Sequence, residues 1–133
     1  MADNLFHNIL KGSIEKIPLI VLDSFNRLFP EAINIEWHCI DRVYEAVFYD
    51  NNLEKIIRID NKGRQLDTKI NLPLRLLPEN IAIAGCIEGE IMNAISIFEG
   101  IKIFYELIVR DKDLKRYLAL YDDTAQLITK ILL

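Results

Sequence analysis

Apolar and polar positions alternate in two distinct rhythms along this chain, and each rhythm occurs twice. After Ser13, a plausible N-cap, Ile14, Ile17, Ile20, Val21, Phe25, Leu28 and Phe29 recur at helical spacing. Pro18 falls in or near the first turn, where a missing N–H costs least. Phe29-Pro30 closes the helix, because a residue before proline avoids the α region. The period then changes to two. Ile33, Ile35, Trp37 and Cys39 alternate with Asn34, Glu36 and His38, the pattern of a half-buried strand. Strands over about Val43–Tyr49, Leu53–Asp60 and Gln65–Leu72 follow, punctuated by Asp41-Arg42, Asp50-Asn51-Asn52 and Asn61-Lys62-Gly63.

The second half repeats this order. A helix is predicted over about Pro78–Ile87. Strands are predicted over about Glu90–Phe98, Ile101–Arg110, Leu114–Asp122 and Ala125–Leu132, with turns at Glu99-Gly100, Asp111-Lys112-Asp113 and Asp122-Asp123-Thr124. Placed without a gap, residues 43–70 match residues 104–131 at nine positions, among them Tyr44-Glu45 with Tyr105-Glu106, Asp50 with Asp111, and Thr68-Lys69-Ile70 with Thr129-Lys130-Ile131. About two matches would be expected by chance. Upstream, Pro18 meets Pro78 one residue out of step. The chain is therefore read as a duplicated single domain. Its first repeat covers about 13–72 and its second about 77–132, after an N-terminal extension over 1–12. Short turns dictate antiparallel neighbours. The expected fold is α+β: two tandem repeats of a helix followed by four antiparallel strands, forming one twisted antiparallel sheet with the helices packed on one face.

Alternation also sorts side chains between faces. Tyr44, Ala46, Phe48, Ile57, Ile59, Leu66 and Ile70 are assigned to the helix-covered core. So are Tyr105, Leu107, Val109, Leu118, Leu120, Leu127 and Ile131 in the second repeat. Trp37, in phase with Ile33 and Ile35, should pack under the first helix. On the opposite face the first repeat is polar, with Glu36, His38, Glu45, Arg58, Asp60, Asp67 and Lys69. The second repeat carries Phe98, Phe104, Ile108, Tyr117, Tyr121, Ile128 and Leu132 among Glu106, Arg110, Lys115 and Lys130. Aromatic and apolar side chains with a polar rim, on a face no helix covers, suit a protein interface. Phe98, Phe104, Ile108, Arg110, Tyr117 and Tyr121 are the candidate partner-binding residues, for a foreign protein or a second copy of the chain.

Composition narrows the alternatives. In 133 residues, 51% hydrophobic and 27% charged content supports one packed core. A net charge of −4 and a pI near 5.2, with basic residues scattered among acids, argue against a nucleic-acid surface. No apolar run is long enough for a transmembrane segment. The start, Met-Ala-Asp-Asn-Leu-Phe-His, lacks the basic and apolar regions of a signal peptide. The expectation is a cytoplasmic protein if Met1 is native and a periplasmic one if a leader has been removed.

Candidate chemistry is sparse. Cys39 and Cys86, without CxxC spacing, are read as buried free thiols. His38 adjoins Cys39, but neighbouring strand residues face opposite ways, so they form no dyad within the strand. His7 lies near the start. The Asp-rich turns lack the spacing of a calcium loop, and Gly63 and Gly100 build no phosphate cradle. No catalytic residue, metal site or cofactor is assigned. The competing expectation is a small-molecule binder with a cleft between helices and sheet, for which Glu45 and Glu106 are the only candidates.

Phe29-Pro30-Glu31-Ala32 leading into Ile35-Glu36-Trp37, then Tyr44-Glu45-Ala46-Val47-Phe48, Ile59-Asp60-Asn61-Lys62-Gly63, and Leu77-Pro78 before a helix, resembles the PepSY-like domains. These are duplicated helix-plus-four-strand proteins found mostly in Bacteroidetes, with a fold similar to that of β-lactamase inhibitor protein. The resemblance covers roughly residues 14–132 and is looser in the second half, where Ile87-Glu88-Gly89-Glu90 replaces the Phe-Pro-x-Ala element. It implies an exported protein with a protein-binding, inhibitor-like or sensory role, and no catalytic residues.

Overall fold

A computed structural model of the chain describes residues 17–133. The predicted N-cap Ser13, Ile14, His7 and the extension over 1–12 lie outside the described residues. Two α-helices and eight strands follow one another as α1 (Leu19–Leu28), β1 (Ile33–Ile40), β2 (Val43–Asp50), β3 (Leu53–Asp60), β4 (Gln65–Leu72), α2 (Glu79–Glu88), β5 (Glu90–Glu99), β6 (Lys102–Arg110), β7 (Arg116–Asp122) and β8 (Leu127–Leu132). A short 3-10 turn at Leu74–Leu76 precedes α2. The strands form one antiparallel sheet in chain order, β1 to β8. The chain divides into two compact units, up to Leu66 and from Asp67 onward.

Proline starts both helices. Pro18 and Pro78 are the N-caps, with φ/ψ of −57°/144° and −56°/144°. Each proline carbonyl accepts hydrogen bonds from the residues three and four further on: Val21 and Leu22 in one unit, Ile81 and Ala82 in the other. Among the described residues α1 therefore begins directly after Pro18. The fixed φ and absent N–H of proline suit this boundary. The shared geometry makes Pro18 and Pro78 structural equivalents, 60 residues apart.

In the first unit Val21 and Phe25 of α1 are buried against Ala46, Phe48, Ile57 and Ile59. Phe25 lies edge-on to Phe48 at 5.0 Å and to Trp37 at 5.2 Å, so Trp37 does pack beneath the helix. The Ser24 hydroxyl donates to the Gly63 carbonyl at 2.8 Å and ties the helix to the β3–β4 turn. In the second unit Ile81 packs with Leu77, Ala94, Leu107, Val109, Ala119 and Tyr121. Gly85 occupies the position equivalent to Phe25. A Cβ there would come within 2.6 Å of Leu107 Cδ1 and 2.8 Å of Ile91 Cδ1, so α2 lies directly on its strands.

The hairpins follow two designs. Asp41-Arg42 and Asn51-Asn52 have positive φ at both central residues, the mirror-image turn that matches strand twist. The turns opened by Asp60, Asp111 and Asp122 share a different one. One carboxylate oxygen accepts the N–H groups two and four residues on, at 2.9–3.0 Å. The N–H three residues on bonds to the aspartate carbonyl, and that residue is left-handed: Gly63, Leu114 and Ala125, at φ of 83°, 66° and 70°. The Asp-rich segments are thus hairpin turns whose carboxylates are occupied by backbone N–H groups.

The sequence-based phasing of β1 and β7 does not hold. A bulge between Ile33 and Glu36, with Asn34 left-handed, puts Ile33 opposite Tyr49 and out of phase with Trp37, and both Ile33 and Ile35 are exposed on the β1 strand. In β7 the true phase is opposite to the predicted one. Ala119 and Tyr121 are buried, and Leu118 and Leu120 face the other way. The cause is a single residue. Asp50 and Leu53 flank a two-residue turn, whereas Asp111 and Lys115 flank a three-residue one. Beyond that turn the repeats are offset by 62 positions, not 61, so Ile57 corresponds to Ala119 and Ile59 to Tyr121. A slip of one residue exchanges the two faces of a strand. Cys39 and Cys86, expected to be buried, are both exposed.

Candidate functional site

The candidate site is the side of the second unit's strands that faces away from α2. Directly opposed residues in antiparallel strands share a face, so the register gives its layout. Lys69, Ile97, Phe104 and Asp122 form one row across β4 to β7. Asn71, Ile95, Glu106, Leu120 and Thr129 form the next, from β4 to β8. Asn93, Ile108, Leu118 and Ile131 form the third, and Glu90, Arg110 and Arg116 the last. Seven apolar side chains therefore lie on four adjacent strands, with Glu106 in their midst between Ile95 and Leu120. Lys69, Asn71, Arg110 and Arg116 make the rim. The Arg110 guanidinium donates to Glu90 at 2.8 Å.

Of the six residues singled out from sequence, Phe104, Ile108 and Arg110 lie on this face. The other three do not. Tyr121 is only 2% exposed, packs with Ile81 and Leu107, and donates a long 3.4 Å hydrogen bond to the Ala84 carbonyl of α2. Tyr117 is half-buried against the same core, beneath the Lys130 ammonium at 4.4 Å. Phe98 is in phase with the buried Ala94 and Ser96. Tyr117 and Tyr121 were misplaced by the turn insertion. Phe98 was misplaced because the alternation of β5 is weak, with apolar residues on both sides. Lys130, expected on the rim, instead pairs with Glu88 of α2 at 2.8 Å, and Leu132 lies opposite Tyr117 on the helix side. In exchange, Leu118, Leu120 and Ile131, predicted as core, join the open face. Ile95 and Ile97 belong there as well, and the register of β5 with Glu106 and Phe104 is the signal that finds them.

In the first unit the equivalent face is mixed, with Ile40, Val43, Val47 and Ile56 among its charged groups. His38, Glu45 and Arg58 form one row, and Glu36, Val47 and Ile56 another. Cys39 pairs with Tyr44 on the opposite side, so His38 and Cys39 form no dyad within the strand. The unit's buried charge is structural: Lys55 Nζ meets Asp50 Oδ2 at 2.8 Å and lies over the Phe29 ring.

Titration behaviour follows the same division. Backbone N–H donors, led by that of Arg64, hold Asp60 below the usual carboxylate range. The Thr124 hydroxyl, then the Gln126 N–H, do so for Asp122. Burial raises Tyr105 and Tyr121, and Glu88 raises Lys130. These groups serve turns and core packing. Among the described residues no His, Cys, Asp and Glu side chains cluster to hold a metal ion. No described helix is long and apolar enough to cross a membrane.

No family model matches the chain. No curated protein matches it either. Solved structures do. A DUF2874 family protein from Bacteroides ovatus superposes with a TM-score of 0.78 at 19% identity, over 89% of each chain. A protein from Bacteroides eggerthii, provisionally described as periplasmic, gives 0.78 at 15% identity over 89% of this chain and 90% of that one. A BLIP-like protein from Bacteroides fragilis gives 0.77 at 16% identity over 90% and 88%. At these identities the likeness concerns the fold: this chain has the α+β architecture of the DUF2874 and BLIP-like proteins of Bacteroides.

Proposed function

We propose that the chain is a non-enzymatic binding module of PepSY-like, inhibitor-like type, and that the open face of its second unit takes a protein partner. The observation that carries this reading is the grid of Ile95, Ile97, Phe104, Ile108, Leu118 and Leu120. In the same register the first unit keeps Ile40, Val43, Val47 and Ile56 but places His38 and Arg58 where the second has Ile95 and Leu120, so the second unit extends an apolar face that the first interrupts with charge. Clustered apolar residues with a charged rim are the anatomy of an interface core. Glu106, set among isoleucine and leucine, would be desolvated by a partner. It therefore favours one that brings a lysine, an arginine or another donor to the centre. The DUF2874 and BLIP-like neighbours support a binding role by analogy of fold, and the Bacteroides eggerthii neighbour supports a periplasmic location.

A small-molecule cleft between helix and sheet finds less support. In the second unit the helix backbone at Gly85 leaves no room for even a Cβ against Leu107. In the first, Phe25 fills that space against Phe48 and Trp37.

The test is affinity capture with immobilised wild-type chain and, in parallel, an Ile108→Lys variant. A captured protein is then purified and its affinity for both measured. Binding to the wild type with loss in Ile108→Lys supports the reading. Equal affinity for both overturns it.

A further inference from the structure

The sheet ends at β8, and this strand has the composition of one covered on both faces. Leu127, Ile128, Ile131, Leu132 and Leu133 are all exposed, between 41% and 63%. Near-continuous apolar runs belong to strands inside a sheet, whereas an edge strand ordinarily carries charge, proline or a bulge. β1, at the other edge, follows that rule with its bulge at left-handed Asn34 and with Glu36 and His38. The one charge on β8, Lys130, is turned onto Glu88 and the Tyr117 ring. The irregularity of β8 is confined to its start, and Thr129 to Leu132 stay in unbroken register with β7.

The backbone says what chemistry completes this edge. The Leu133 N–H donates to the Arg116 carbonyl at 2.9 Å. Alternation along an antiparallel ladder then turns the N–H and C=O groups of Thr129, Ile131 and Leu133 toward β7, and those of Lys130 and Leu132 away from it. Among the described residues no strand lies on that side. We propose that a second copy of this chain does, through antiparallel β8–β8 pairing about a two-fold axis at Ile131. Lys130 of each copy exchanges both backbone hydrogen bonds with Leu132 of the other, so the pattern is self-complementary and every outward group of this stretch is used. Ile131 meets its own counterpart in a non-hydrogen-bonded pair, with Cα atoms about 4.5 Å apart. The neighbouring register, centred on Lys130, would set two ammonium groups directly opposite each other, which is unfavourable. With the axis at Ile131, the apolar row Ile108, Leu118, Ile131 runs into the same row of the second copy. α2 lies on β5 and β6, so the two helices stay clear of the new contact.

A single strand pair covers less than the ~800 Å² per partner of a standard interface, so the dimer is weak and concentration-dependent. Sedimentation equilibrium of the wild type from micromolar to millimolar concentration should show monomer and dimer in exchange. Leu132→Pro removes an outward N–H and no bond to β7, the kind of position where an edge strand accepts proline. It should keep the wild-type circular dichroism spectrum and raise the dimer Kd at least tenfold. Ile131→Lys and Ile131→Glu, which need no change of backbone, should each be monomeric alone and associate when mixed. In a Cys39→Ser/Cys86→Ser background, Ile131→Cys should oxidise to a disulfide-linked dimer, because its counterpart lies within bridging distance. Thr129→Cys, which faces Leu133 of the other copy, should not. A monomer at millimolar concentration overturns the proposal. So does a dimer indifferent to Leu132→Pro, one that Thr129→Cys traps as readily as Ile131→Cys, or one dissolved by Ile108→Lys alone, which would belong to the open face.

Discussion

The three aspartate turns form a matched set that allows a worked stability prediction. Each needs a left-handed residue at its fourth position, and only Gly63 is glycine. A side chain in that conformation costs about 1–2 kcal/mol. Glycine gives back roughly 0.4–1 kcal/mol through its freer unfolded chain. Leu114 is 70% exposed, so Leu114→Gly forfeits no burial and should stabilise by about 0.5–1 kcal/mol. Ala125 touches the core, so Ala125→Gly should gain less. The two turns lie at opposite ends of β7, and their effects should add. The reverse change is the control. Gly63→Ala keeps the strained φ and brings its Cβ to 2.9 Å from Ile20 Cγ1 and 3.1 Å from the Ile20 carbonyl oxygen. A loss of roughly 2–3 kcal/mol is expected, since the carbonyl is backbone and cannot swing aside. Urea unfolding followed by circular dichroism measures all three. Destabilisation by Leu114→Gly, or indifference to Gly63→Ala, would refute the reasoning.

Other outcomes follow from the packing. Gly85→Ala should destabilise by about 1–3 kcal/mol despite the better helix propensity of alanine, because its methyl meets Leu107 and Ile91; a gain on thermal melting would contradict the close seating of α2. Ser96 Oγ is buried with no hydrogen-bond partner among the described residues, so Ser96→Ala should be neutral or stabilising by about 1 kcal/mol in the same urea assay. Asp60 and Asp122 have pKa values lowered from 3.8 in the folded chain. Their contribution is present above that pH and is lost as pH falls through the lower folded values. An Asp60→Asn/Asp122→Asn variant should therefore show a flatter acid limb in a pH series of melts.

Much of this architecture is written in the sequence because each local signal agreed with the repeat. Asn51-Asn52 and Asp60-Asn61-Lys62-Gly63 marked their turns, and β2 and β3 bury Ala46, Phe48, Ile57 and Ile59 in the predicted phase. The second unit hid its register. Leu118 and Leu120 are as apolar as the Ala119 and Tyr121 they flank, so alternation cannot phase β7. The extra residue after Asp111 then carried the first unit's phase onto the wrong side. The repeated aspartate was a usable signal, since aligning Asp60 with Asp122 instead of Tyr121 restores the phase. The bulge at Asn34 and the exposure of Cys39 and Cys86 left no local mark. Of the candidate site, Phe104, Ile108 and Arg110 were legible because β6 matches β2 without an insertion, Tyr105-Glu106 falling on Tyr44-Glu45. Ile95, Ile97, Leu118 and Leu120 required the pairing of strands.

The most direct test of binding through the open face is the affinity of a purified partner for Phe104→Glu/Ile108→Lys compared with Ile83→Asp/Ile87→Arg, both confirmed as folded. Two central interface residues at about 2 kcal/mol each correspond to a loss of roughly a hundredfold or more for the first variant. Near wild-type affinity is expected for the second. Wild-type affinity in Phe104→Glu/Ile108→Lys, or a loss confined to the α2 variant, would contradict the assignment of the open face as the binding surface.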